Sequence, residues 1–380
     1  MTRKTRLLFV IENSAYGGGE KVFSTLIRGL PAGDFEIFCA ALPRGRFYEE
    51  NKARCLFLPL DLTSRVSPRA IGRLAALMRE YKIDLAHSQG SRADFYCALA
   101  AARAGVPAVA TVAMPVDGFD VGFLRKKVYS LFYSFAERRL AGVITVSESL
   151  RRTLVAGHGV AEEKLFLVPN QVDAAEFNPE SFDAAPMVEK YSLRGRFVLG
   201  ALGRLEWQKG YPVLLEALAR LLAVEPELRK KLVCLIGGSG SMEAELKLAA
   251  RKAGLSGNVI FCGEVASPKD FLSAVDIFVM PSLLEGQPLA LLEAMAMAKP
   301  VIASDIPGIS DSAESGKEAL LVPPGEPEAF VSAVRSLLAS PELGRELGRN
   351  GRARASGYKP EDFLKAHADI YRRLAGRAGD

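Results

Sequence analysis

Val275-Asp-Ile-Phe-Val-Met-Pro-Ser-Leu-Leu-Glu-Gly-Gln-Pro-Leu-Ala-Leu-Leu-Glu-Ala-Met-Ala-Met-Ala-Lys299 changes character once, and the change decides the architecture. The segment Val275–Met280 is apolar apart from Asp276, the pattern of a strand buried on both faces. Pro288 suits the first turn of a helix, where its fixed φ fits and its missing N–H would have no partner anyway. The stretch therefore reads as strand, loop, helix. Glu285 falls in the loop. Glu293, beyond seven intervening residues, falls about one and a half turns into the helix at 3.6 residues per turn. The first carboxylate stands beside the free N–H groups that open a helix, a place that welcomes phosphate. The second can reach another group of the same ligand, so the pair suits a molecule carrying hydroxyls and phosphate together.

The same alternation runs through the chain. Strand-like runs are expected at residues 7–11, 35–40, 55–58, 84–87, 108–112, 143–146 and 165–168. A second set follows at 197–202, 232–236, 259–261, 277–280, 301–303 and 319–322. Continuous Val/Ile/Leu runs separated by helical stretches predict parallel sheets covered on both faces. The fold class is α/β, with two doubly wound Rossmann-like domains and a ligand cleft between the carboxyl ends of their strands. The boundary is expected within 170–196, which contains Asn178-Pro179 and Ala185-Pro186 and has little periodicity. We place the first domain at 1–178 and the second at 179–360. The tail Pro360–Leu374 reads as an amphipathic helix whose Phe363, Ile370, Tyr371 and Leu374 could dock on either domain.

A length of 380 residues fits two cores. The five cysteines are scattered and form no CxxC or His/Cys cluster, so buried thiols are expected rather than disulfides or zinc. After the basic N-terminus only Leu7–Ile11 is apolar, too short for a signal segment. No window approaches the ~20 apolar residues of a membrane span. The expected location is cytoplasmic, or peripheral at the inner face of the membrane. The net charge of +5 is concentrated in 119–140. Phe123, Val128, Leu131, Phe132 and Phe135 there share an apolar side, bordered by Arg125, Lys126, Lys127, Arg138 and Arg139. Such a helix can lie on an anionic bilayer, or simply pack on a sheet with a solvated basic face. No nucleic-acid motif accompanies the charge.

Further loops carry chemistry. Gly17-Gly18-Gly19-Glu20 lies between a strand and a helix, where glycines allow close backbone approach. It is not GxGxxG, and the acidic residue a dinucleotide site needs is missing. Gly203-Arg204-Leu-Glu-Trp-Gln-Lys209-Gly210 occupies the same kind of position. Its two cations could clamp a diphosphate, Arg204 as a planar fork and Lys209 as a point charge. The glycine loop after Ile236, including Gly238, lacks the Lys-Ser/Thr of a Walker loop but could wall a phosphate or sugar. His87 ends a strand and could meet a sugar hydroxyl, or be structural. Paired carboxylates also admit a glycoside hydrolase, but a simple glycoside offers Arg204 and Lys209 no diphosphate. No Asp-x-Asp occurs, so the charge of a departing diphosphate would fall to those cations and to helix N-termini.

Together these motifs resemble the family 4 (group 1) retaining glycosyltransferases, which have the GT-B fold. The similarity covers almost the whole chain. It rests on Gly17–Glu20, Val168-Pro-Asn-Gln-Val-Asp-Ala-Ala-Glu-Phe-Asn-Pro179, Gly203-Arg204 with Lys209-Gly210, Glu285 with Glu293, and Lys299-Pro-Val301. The resemblance implies that Arg204 and Lys209 bind the donor diphosphate, Glu293 the ribose and Glu285 the transferred sugar. The loop Gly286-Gln287-Pro288-Leu289 would offer backbone N–H groups, those of residues other than the proline, to the sugar and phosphate. Gly203 and Gly238 would line the donor site, and Gly263 to Val265 would border the base. Gly18 and Gly19 would line the junction of acceptor and donor, and the last helix would cross back to the first domain (361–380). Two positions depart from the family pattern. The segment Ala110–Asp117 has no His, so Asp117 or His87 supplies that contact or the acceptor side differs. Gln171 replaces a usual Gly.

The expected activity is transfer of a hexose or N-acetylhexosamine from a nucleotide diphosphate sugar, UDP before GDP, to a glycan or lipid-linked acceptor hydroxyl, with no cofactor and no metal. A GT-B sugar-nucleotide epimerase and a non-catalytic sugar-nucleotide-binding scaffold are the alternatives. If 119–140 touches membrane, replacing Lys126 and Lys127 with Glu lowers binding to anionic liposomes; unchanged binding in a sedimentation assay favours the packed helix.

Overall fold

The computed structural model describes residues 3–13, 16–63, 67–114 and 138–376. The basic aromatic stretch 119–137 and Asp117 lie outside them. The described residues form thirteen parallel strands in two sheets. In the first are β1 (Thr5–Ile11), β2 (Phe35–Ala41), β3 (Leu56–Pro59), β4 (Leu85–Gln89), β5 (Ala108–Val112), β6 (Gly142–Thr145) and β7 (Leu165–Leu167), in the order β3-β2-β1-β4-β5-β6-β7. The second holds β8 (Phe197–Leu202), β9 (Leu232–Gly237), β10 (Val259–Gly263), β11 (Ile277–Met280), β12 (Val301–Ser304) and β13 (Leu320–Val322), in the order β10-β9-β8-β11-β12-β13. Each expected apolar run became one strand. The cause is burial on both faces: in β1, Leu8 and Val10 enter the core under helix Ser91–Ala104, while Phe9 faces Phe23 of helix Gly18–Gly29.

The chain divides into two compact units, Met1–Asn170 with Glu361–Asp380, and Gln171–Pro360. The first unit leaves off ahead of the expected residue 178. The N–H of Val172 donates to the Tyr358 carbonyl at 2.9 Å, and Val172 and Phe177 sit in a core of the second unit. Arg352 fixes this segment further, donating to the carbonyls of Phe177 at 2.9 Å and Ala174 at 3.4 Å, and to that of Ala296.

The C-terminal helix Pro360–Leu374 completes the first unit by burying Phe363, His367, Ala368, Ile370 and Tyr371. The Tyr371 hydroxyl meets His87 Nδ1 at 2.7 Å, and Arg372 pairs with Asp34 at 2.7 Å. A Cβ on Gly29 would lie 2.5 Å from Leu364 Cδ1, so the bare glycine admits the helix. Cys39, Cys97 and Cys234 are buried free thiols, with Cys97 pushed up to about 12 chiefly by burial. Among the described residues no helix is long and apolar enough to cross a membrane.

Three buried groups of the first unit give the fold a stability optimum. Burial holds His87 well below the ordinary imidazole value, with help from His367, and lowers His367 to about 4. Burial raises Asp94 to about 8. Below about 6.5 the unfolded chain takes up protons that the buried imidazoles refuse, so stability falls as pH drops toward 4. Asp94 opposes this in part, because the unfolded chain has already lost the proton that folded Asp94 retains; two histidines outweigh one aspartate. From 6.5 to 8 only Asp94 acts, and stability falls as pH rises. Thermal melts should therefore peak near pH 6.5, His367→Gln should flatten the acid limb, and Asp94→Asn the alkaline one. A wild-type melt that does not change between pH 5 and 8 contradicts this.

Candidate active site

β8 and β11 are neighbours, with Ile277 opposite Leu199 and Phe278 opposite Gly200. The strand order reverses between them. The helix after β8, Tyr211–Val224, packs in one core with Ile277 and Val279. The helix after β11, Leu289–Ala296, packs in the other with Phe278 and Met280. The loops 203–210 and 281–288 therefore part above the switch point, where open α/β sheets hold ligands.

These loops meet in a buried ion pair. Lys209 Nζ lies 2.6 Å from Glu285 Oε1, and the Ser282 hydroxyl donates to that same oxygen at 2.8 Å. The side chains are 19% and 6% exposed, unlike those of surface pairs such as Lys52–Glu49. Exposed pairs contribute ~0–1 kcal/mol, whereas removing one member of a buried pair costs about 3–5 kcal/mol through the charge left behind. Among the described residues no hydrogen bond reaches Glu285 Oε2. Arg204 is exposed on the same loop.

Backbone contacts hold the arrangement. The Leu283 N–H donates to the Gln208 carbonyl at 2.8 Å. The Tyr211 hydroxyl donates to the Gly203 carbonyl at 3.1 Å, and burial together with the charge of Glu285 raises its pKa, keeping it a donor. A Cβ on Gly308 would fall 2.2 Å from the Glu285 carbonyl oxygen and 2.6 Å from that of Gly286. Pro288 proves to be the residue before the helix, which opens at Leu289 with no acidic residue in its first turn. Gln287 is buried and donates to Ser312 Oγ at 3.2 Å, and Glu293 is 4% exposed.

Gly238 differs from a free donor of an N–H group. Its amide donates to the Gly263 carbonyl at 2.7 Å, and a Cβ there would lie 1.9 Å from the Gly203 oxygen, so it spaces neighbouring loops. Val265 packs over Gly237, 2.6 Å from where a Cβ would stand. In the first unit, Gly18 and Gly19 open a helix after β1, beside β4 at that sheet's own switch point. Glu20 accepts from the Gly17 N–H at 2.9 Å, and the Gln89 amide lies 3.4 Å from a Cβ built on Gly19.

His87 requires a correction. It is fully enclosed, its Nδ1 taken by the Tyr371 hydroxyl at 2.7 Å and its Nε2 by Thr111 Oγ1 at 2.8 Å. Both ring nitrogens are spent inside the first unit, so His87 joins the C-terminal helix to β5 and offers nothing to an acceptor. Sequence reasoning also passed over Ser282, Gln208, Tyr211 and Gly308. Ser282 and Gln208 lie within the motifs and Tyr211 directly follows one, so each had a local signal, while Gly308 carries none. Among the described residues no group of three His, Cys, Asp or Glu side chains could hold a metal ion.

Residues 188–354 match the family model for glycosyl transferases group 1, and residues 16–176 match the one for glycosyltransferase family 4. A UDP-Gal:alpha-D-GlcNAc-diphosphoundecaprenol alpha-1,3-galactosyltransferase of Escherichia coli is 26% identical over 79% of each chain. The lipopolysaccharide core biosynthesis mannosyltransferase LpsB of Rhizobium meliloti is 30% identical over 66% of this chain and 74% of its own. Among solved structures, Anabaena Alr3699/HepE in complex with UDP-glucose superposes with a TM-score of 0.84 at 19% identity, covering 97% of this chain and 100% of that one. That likeness is one of fold.

Gly210 has φ of 64°, and a Cβ there would fall 2.0 Å from the Pro281 carbonyl oxygen. Gly210→Ala should cost about 2–4 kcal/mol by strain and displacement of that carbonyl. Urea unfolding of the variant measures this, and an unchanged midpoint would show that the loops are not so tightly joined.

Proposed function

The chain belongs to the group 1 glycosyltransferases of family 4, and on that premise we propose that it is a retaining enzyme moving a hexose or N-acetylhexosamine from a UDP-sugar to an acceptor hydroxyl. The observation that carries this reading is the Lys209–Glu285–Ser282 cluster at the switch point of the second sheet. A lone carboxylate would repel a diphosphate. Glu285 is instead neutralised by Lys209, while its Oε2 remains for sugar hydroxyls. Arg204 and Lys209 stand on one loop to take the diphosphate charge, aided by the opening turn of helix Leu289–Ala296. Glu293 on that helix serves the ribose. The residues Gly286 to Leu289 line the sugar and phosphate, and Val265 borders the base.

In the proposed step the acceptor oxygen bonds to the anomeric carbon as the bond from that carbon to the phosphate oxygen breaks. Attack comes from the face the phosphate leaves, so configuration is retained. The departing phosphate takes the acceptor proton, and Arg204 and Lys209 stabilise the charge it gains. The pair of cations does the work a carboxylate-held metal would do elsewhere, which is why we propose metal-independent transfer. UDP is favoured by the E. coli relative named for UDP-Gal and by the Anabaena structure with UDP-glucose. Those relatives also point to acceptors in lipid-linked glycan or lipopolysaccharide synthesis, one being named for a diphosphoundecaprenol acceptor and one for the lipopolysaccharide core.

Incubation with a panel of UDP-sugars and lipid-linked acceptors should give a glycosylated product and UDP. Glu285→Ala and Glu285→Gln should each lower turnover by about 10²–10³-fold, as loss of a group acting in the transition state does. The Gln variant keeps the side-chain shape should the Ala variant misfold. Undiminished turnover in a folded Glu285→Gln protein would overturn the assignment, as would isomerised donor without transfer.

A further inference from the structure

Between Arg204 and Lys209 stands a carboxylate with no role in the reading above. The Glu206 N–H donates to the Arg204 carbonyl at 2.9 Å, and its own carbonyl accepts from the Lys209 N–H at 3.0 Å. Its side chain leaves the loop altogether. Oε1 accepts from the Ser241 N–H at 3.0 Å, and Oε2 from the Ser241 hydroxyl at 2.7 Å.

Ser241 belongs to the glycine loop after β9, one residue before Met242, which caps helix Glu243–Lys252. The Glu206 carboxylate thus takes both donors of the residue that precedes the cap of that helix. Glu243 and Glu245 add negative charge in the first turn. Around this contact the backbones are joined, Leu205 N–H to the Ser239 carbonyl at 2.8 Å and Met242 N–H to the Leu205 carbonyl at 3.0 Å. A Cβ on Gly240 would fall 2.4 Å from the Leu205 oxygen, so the approach is as close as backbones allow. The helix Leu289–Ala296 carries no acidic residue in its first turn.

We propose that Glu206 is a positioning residue for the diphosphate loop. By binding Ser241 through both oxygens it fixes the path of residues 203–209, and with it the Arg204 guanidinium and the Lys209 ammonium. It also closes the Gly237–Ser241 loop to the donor phosphates. This rests on the assignment of Arg204 and Lys209 made above. Geometry and charge predict opposite effects at this position. A carboxylate near a diphosphate repels it, so its removal should tighten binding if charge governs and weaken binding if position does.

Calorimetric titration of UDP into the full chain separates these, with the melting temperature of each variant as the check on folding. Glu206→Ala should weaken UDP binding about tenfold, the equivalent of removing one charge-assisted hydrogen bond. Glu206→Gln should stay within about threefold of wild type, because an amide can still accept from the Ser241 N–H and donate to its hydroxyl. The Glu206→Ala/Ser241→Ala double variant should bind no more weakly than Glu206→Ala, as two groups acting as a unit do. Unchanged or tighter binding in Glu206→Ala overturns the proposal, and so does failure of Gln to rescue. If Glu206→Ala does not fold, Glu206→Gln and Ser241→Ala decide, the latter expected to be weaker than the former. Arg204→Ala is the control: if it leaves UDP affinity unchanged the donor reading itself fails, whereas if it weakens binding and Glu206→Ala does not, only the positioning role falls.

Discussion

The contact on which the proposed chemistry of the second unit depends is one lysine held against one glutamate by loops that lead to helices on opposite faces of the sheet. Lys209 comes from the connection after β8 and Glu285 from the one after β11, and they meet because those strands pair. Neither charge could stay so enclosed alone. Their pairing leaves the second carboxylate oxygen without a hydrogen bond among the described residues and cancels the charge that would oppose the diphosphate of the proposed donor. The sheet order thus sets the electrostatics: moving either strand one place would separate the pair.

Around that contact, side chains are conspicuously few. Gly210 lies against the Pro281 carbonyl, Gly308 against that of Glu285, Gly238 against that of Gly203 and Gly240 against Leu205. Loops that touch through bare backbone have few rotamers to choose from, so the charged groups they carry are placed by main-chain hydrogen bonds rather than by packing. Glu206 works in the same setting, its amide, carbonyl and carboxylate each holding a different part of the frame.

Much of this was legible in the sequence because it is local. Strands buried on both faces must be continuously apolar, and so thirteen runs announced thirteen strands. A proline before an apolar helix, with glycines and charges just ahead, marked the loops at strand ends. What could not be read was anything decided by distant partners. His87 looked like a strand-end polar group, and only the arrival of Tyr371, 284 residues later, turns it into an interior one. Gly308 has no motif around it, and its importance lies wholly in the carbonyls it meets. The Gly237–Ser241 loop looked open to phosphate because the carboxylate that takes its Ser241 N–H and hydroxyl belongs to another loop.

The helix that completes the first unit also sets the order in which the chain can assemble during synthesis. Residues 171–360 are contiguous, so the second unit can close on itself without waiting for any other part of the chain. The first unit is begun earlier and finished later. Until residues 361–374 are made, Phe9, Phe35 and His87 lack Tyr371, and the groove beside Gly29 is unfilled. The second unit thus lies inside the first in the order of the chain, and a helix translated after both is the one that seals the first unit's oldest surface.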